Sequence, residues 1–211
     1  MEWLELVKNI SIIIALFVAI YGIDAWRREH VGKRQLELAE DTLSLFYEAS
    51  DAISHIRHPA SYEHESRDAQ RGEDESEAEY KARKNAFVVF YRYNEYQELF
   101  SKIHASRYRF MAQVGKKEAA PFEDLRLVIN EIKFSARRLS RLWAENNHST
   151  RDEKIKHRER LRKYEAIFWD DMEENDPINP KLEKIIRDIE YTCKSIIAGK
   201  GTLYGILNRK I

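Results

Sequence analysis

LELVKNISIIIALFVAIYGIDAW, residues 4–26, decides how the rest of the chain is read. Fifteen consecutive residues between Lys8 and Asp24 carry no charge. As a helix they span about 22 Å at about 1.5 Å per residue, short of a hydrocarbon core of about 30 Å. Leu4, Leu6, Val7, Ala25 and Trp26 extend the run to spanning length, provided Lys8 and Asp24 sit near the interfaces. The lysine stem then snorkels, and Trp3 and Trp26 take the headgroup level. Nine strongly apolar residues, at about −0.3 to −0.6 kcal/mol each, outweigh two charges whose full cost of about 3 kcal/mol applies only at the bilayer centre. The segment reads as a transmembrane helix.

Three other readings compete with it. A cleaved signal peptide has an apolar core of this length, but it needs a basic leader, and here Glu2 and Glu5 oppose Lys8 with no small-x-small cleavage site following. A buried core helix of a soluble domain is the plainer account of a short apolar run. An interfacial helix needs a single apolar stripe, whereas these apolar residues surround the axis.

Basic residues set the orientation. Arg27, Arg28, Lys33 and Arg34 follow the span and only Lys8 precedes it, which places the C-terminal part on the cytoplasmic side of the cell inner membrane. The single Cys193 agrees, because exported modules of this size often carry paired cysteines. Within the span, Ser11, Ala15, Ala19 and Gly22 form a small-x-x-x-small stripe that lets two membrane helices approach closely and form a homo-oligomer.

About 185 residues follow Trp26, enough for one domain with a real core. Seven glycines, four prolines and 34% charged residues describe an all-α chain: the anchor, then an antiparallel bundle of about five helices. The anchor and basic junction cover residues 1–32, the helical domain 33–199 and an apolar, basic tail 200–211. Acids and bases balance at 36 each, so there is no global electrostatic argument for nucleic acid.

The apolar steps Leu36, Ala39, Leu43, Phe46, Ala49, Ile53 and Ile56 predict a helix over 33–57, which Gly32 separates weakly from the anchor and Pro59 ends. Residues 58–79 read as a mobile acidic loop, because 61–79 carries net charge −6 and almost nothing to bury. One helix is expected from about 76 to 114, with Phe87, Phe90, Tyr91, Leu99, Ile103, Phe110, Met111 and Val114 inside. Others are expected from Pro121 to about 145, from 151 to about 173 with Ile155, Leu161, Tyr164, Ile167, Phe168 and Met172 inside, and from Asn179 to a stop at Gly199. The layout resembles that of small bacterial proteins with one N-terminal span and a cytoplasmic helical domain.

No motif names a reaction or a cofactor. His55, His58 and His64 allow a loose divalent site, but a histidine cluster on a loop lacks a fixed outer shell. Glu145 and His148 have the Glu-x-x-His spacing of di-iron bundles in a single copy, where two are required. Gly199 to Thr202 superficially matches the end of a phosphate loop but follows a helix, and Cys193 lies among isoleucines as an inert thiol would.

The basic stretch Arg151 to Lys163 carries net charge +4, with Lys154, Lys156, Arg158, Arg160, Arg162 and Lys163 as its surface cations. A solvated face laced with ion pairs is the plain account; anionic lipid or a protein partner is the functional one. The sequence therefore points first to a non-catalytic interaction, scaffold or sensor module held at the bilayer. A membrane-acting effector of toxin or phage-defence type that assembles through its anchor comes second, and an enzyme with a bundle-core metal third.

Overall fold

The computed structural model describes residues 2–67, 69–145, 150–170 and 176–199. Among them the regular structure is entirely helical: α1 (Glu2–Arg57), α2 (Glu77–Glu95), α3 (Gln97–Gln113), α4 (Ala120–Leu142), α5 (Arg151–Phe168) and α6 (Asn179–Ile197), with a 3-10 turn at Glu63–Ser66.

Residues 4–26 and the helix expected over 33–57 are one continuous helix. A single interior glycine costs a helix about 1 kcal/mol relative to alanine, and at Gly32 helical pairing on both sides outweighs it, so the boundary placed at 32/33 falls inside α1. Its two halves live in different surroundings. From Val7 to Arg34 every residue except the half-buried Ala25 is exposed, whereas Leu38, Ala39, Leu43, Phe46, Ala49, Ala52, Ile53 and Ile56 are buried.

Chain directions follow from pairs at the helix ends. Gln35 Nε2 donates to the Gln113 carbonyl at 2.6 Å and Tyr96 Oη lies 3.2 Å from His55 Nδ1, so α3 runs opposite to α1. Arg57 bonds Asn179, and Tyr47 Oη donates to Glu190, so α6 also runs opposite to α1. Phe122 at the start of α4 meets Phe46 edge-on at 4.9 Å and Phe110 at 5.3 Å. From there α4 rises to Trp143, whose ring packs on Phe168 at the end of α5. Gly115, at φ 153°, makes the turn from α3 to α4, where a Cβ would collide with the Glu118 carboxylate. Gly199, at φ 64°, ends α6 as its position suggests.

Several expectations need correction. The single helix expected over 76–114 is two, broken at Tyr96 (φ −102°, ψ 12°) without proline or glycine. The cause is tertiary: α2 lies on α4 and on the 3-10 turn, α3 lies on α1, and the chain must change direction between these partners. The buried stripe of α2 is Ala82, Ala86, Val88, Val89 and Arg92, with Phe87, Phe90 and Tyr91 only half buried. Ile155 is exposed and His157 is buried in its place. The acidic segment also buries more than its composition suggests, because Glu65, Ser66 and Ala69 are inside.

Candidate functional site

Two arginines define the end of the domain remote from residues 7–26. Arg57 is the last residue of α1 and is 0% exposed. Its Nε donates to the Ile167 carbonyl at 2.9 Å, and its Nη2 to the carbonyls of Ala166 at 2.9 Å and Trp169 at 2.8 Å. These are carbonyls at the end of α5 that lack helical donors, so the guanidinium caps that helix from another part of the chain. The countercharge is Asp176, whose Oδ2 accepts from Nη2 at 2.5 Å. Its Oδ1 accepts from the amides of Ile178 and Asn179 at the start of α6, where a carboxylate is favoured by the helix dipole.

Arg92 repeats the device with different partners. It is 1% exposed and donates to the carbonyls of His55, His58 and Ala60, closing the C-terminal end of α1. Glu65 takes the same guanidinium with both oxygens, at 2.7 and 3.0 Å, and accepts from the Tyr62 amide at 2.6 Å. Burial alone would raise the Glu65 carboxyl, but the bonds from Arg92 and Tyr62 outweigh it and hold the group below its ordinary value. Asp176 behaves alike: burial raises it, and Arg57 with the two amides brings it below its usual range.

The basic helix sits at this same end. The last turn of α5 is held by Arg57, and Arg160 and His157 lie 3.7 and 3.5 Å from Glu145, just past the end of α4. Lys154, Lys156, Arg158, Arg160, Arg162 and Lys163 are all exposed. Between Trp26 and Arg57, which holds the last turn of α5, an uninterrupted helix rises about 46 Å.

The other candidate residues lie along α1. Ser11, Ala15, Ala19 and Gly22 are exposed on one strip; Ser11 Oγ donates to the Val7 carbonyl, and nothing lies within 4 Å of a Cβ built at Gly22. Arg27, Arg28, Lys33 and Arg34 are exposed, with Arg28 3.8 Å from Asp24 and its guanidinium 5.9 Å from the Tyr21 ring centre.

The three histidines separate. His55 meets Tyr96, His58 Nδ1 accepts from the Ala60 amide, and His64 stacks on Tyr62. Among the described residues no group of three or more His, Cys, Asp or Glu could hold a metal ion. His148, Met172, the residues after Gly199 and the tail lie outside the described residues. Cys193 is fully buried and its thiol is pushed up to about 11 by desolvation, which closes thiolate chemistry at neutral pH.

Sequence reasoning missed Arg57, Arg92, Glu65 and Asp176. A faint signal existed for the last, an Asp three residues before Asn179-Pro180, where a helix begins. No family model matches the chain, and no curated protein or solved structure gives a significant match.

Proposed function

We propose that the chain is a single-pass inner-membrane protein that presents an antiparallel helical bundle to the cytoplasm as a non-catalytic interaction module. One observation carries the reading: α1 exposes Val7, Ile10, Ile12, Ile13, Ile14, Leu16, Phe17, Val18, Ile20 and Ile23 in one half and forms the domain core with the other. A contiguous apolar surface of that extent marks a membrane or partner contact, and its wrap-around pattern and length fit a bilayer. Because the helix is unbroken, no loop separates the span from the domain. The basic face of α5, remote from the anchor, is then offered to a partner and not to the lipid that holds α1. Protease added to spheroplasts should leave a C-terminal tag intact; cleavage of the tag would reverse the orientation and end the cytoplasmic reading.

A second reading rests on the exposed strip of Ser11, Ala15, Ala19 and Gly22, which supports assembly of anchors into a membrane-perturbing effector. Growth arrest with dye entry on overexpression supports that reading, and normal growth with a sealed membrane removes it.

A further inference from the structure

A groove of about 310 Å³ lies where α3 and α4 diverge. Its aromatic surface is the pair Tyr93 and Phe100, stacked with ring centres 5.2 Å apart and planes 5° from parallel, with Phe122 further along. Lys133 on α4 sets its Nζ 3.0 Å from the Tyr93 ring centre. Among the described residues no carboxylate lies within ion-pair distance of that ammonium, and the charge that bears on it, Arg137, has the same sign. Loss of water, then Arg137, holds the Lys133 ammonium below its ordinary value.

A second base, Arg107, also lines the groove. Arg107 Nε is buried with no hydrogen-bond acceptor. The carboxylate nearest its guanidinium, Glu123 at 3.6 Å, is shared with Arg126. Of the charged groups lining the groove, three are bases and one is an acid. Three bases served by one carboxylate, with Lys133 partly desolvated against an aromatic face, leave the groove positive and favour an anionic occupant. Phe100 and Ile129 give the groove an apolar wall for the remainder of such a ligand.

We propose that this groove binds a small organic anion, one acidic group on an apolar body, with the acid beside Lys133 and the body along the apolar wall of Phe100 and Ile129. The partly exposed Arg107 guanidinium supplies a second positive charge. The site is separate from the α5 face and does not depend on the membrane reading.

The test is equilibrium dialysis of full-length protein in detergent with 2-naphthoate, against a detergent-only blank. The expected result is one saturable site per chain, weakened about tenfold or more in Lys133→Met, retained in Lys133→Arg, and not reproduced by the neutral 2-naphthylmethanol. Ser101→Trp, which fills the groove from its exposed rim and leaves Lys133 in place, should abolish binding. Uptake no greater than the blank, unchanged affinity in Lys133→Met or in Ser101→Trp, or equal binding of the alcohol would overturn the proposal.

Discussion

Arg57 Nη2 and Asp176 Oδ2 lie 2.5 Å apart, and this pair ties the last residue of α1 to the segment that leads into α6. The guanidinium also caps α5, so one side chain fixes three helix ends. Removing one partner of a buried, hydrogen-bonded pair leaves the other uncompensated and costs about 3–5 kcal/mol. Arg57→Met should lower the stability of the full-length protein in detergent by that much in urea unfolding. Lys184→Ala, which removes an exposed partner of Asp188, should change it by less than about 1 kcal/mol. Equal effects would refute the capping role.

The two buried carboxylates fix the acid limb of stability. Glu65 and Asp176 are held below their ordinary values of 4.5 and 3.8. The unfolded chain therefore takes up protons before the folded one as pH falls. Their contribution is complete above about pH 5 and is lost progressively below about pH 4 as the folded carboxylates protonate. A Glu65→Gln, Asp176→Asn double variant should be less stable at neutral pH and show a flatter decline between about pH 5 and 2. A decline as steep as in the parent would contradict this.

Thr42 presents the opposite case. It is fully buried in α1, and its Oγ1 has no hydrogen-bond partner. Thr42→Val keeps the shape and removes the unmet group, so it should raise stability by about 1 kcal/mol. A loss of stability on denaturant unfolding would show that the hydroxyl is satisfied.

The distance between anchor and basic helix makes a further prediction. A fluorophore attached at Lys156→Cys in full-length protein reconstituted into anionic vesicles should escape quenching by lipid spin-labelled at the headgroup. Strong quenching would place α5 against its own bilayer.

Close approach of two anchors is tested by substitution. Ala15→Ile with Ala19→Ile should lower the dimer yield in a membrane association assay, since bulk on the small-residue strip separates the helices. An unaltered yield would show that the strip is idle.

How much of this could be read beforehand depended on the kind of residue. Spacing alone picks out Phe122, Leu125, Val128, Ile129, Ile132, Ala136, Leu139, Leu142 and Trp143 on α4 and Leu182, Ile185, Ile186, Ile189, Cys193, Ile196 and Ile197 on α6; all are buried except the half-buried Ile129, Trp143, Ile186 and Ile196 and the exposed Ile197, because apolar periodicity reports on a core face but not on its edges. Arg57 and Arg92 gave no such signal. Charged residues are almost always exposed, and their burial depends on carbonyls supplied by segments more than 30 residues away. The break at Tyr96 was hidden for a related reason: no local breaker marks it, and two separate packing partners impose it. Ile155 misled in the other direction, since its place inside a basic helix suggested a core contact that His157 makes instead.

The most direct test is fractionation of the full-length protein followed by washing of the membranes in alkaline carbonate. The account predicts that the protein stays in the pellet, because residues 7–26 cross the bilayer on the same helix that forms the domain core. Release into the supernatant would show that those residues are covered by protein instead, and the anchored-module account would fall.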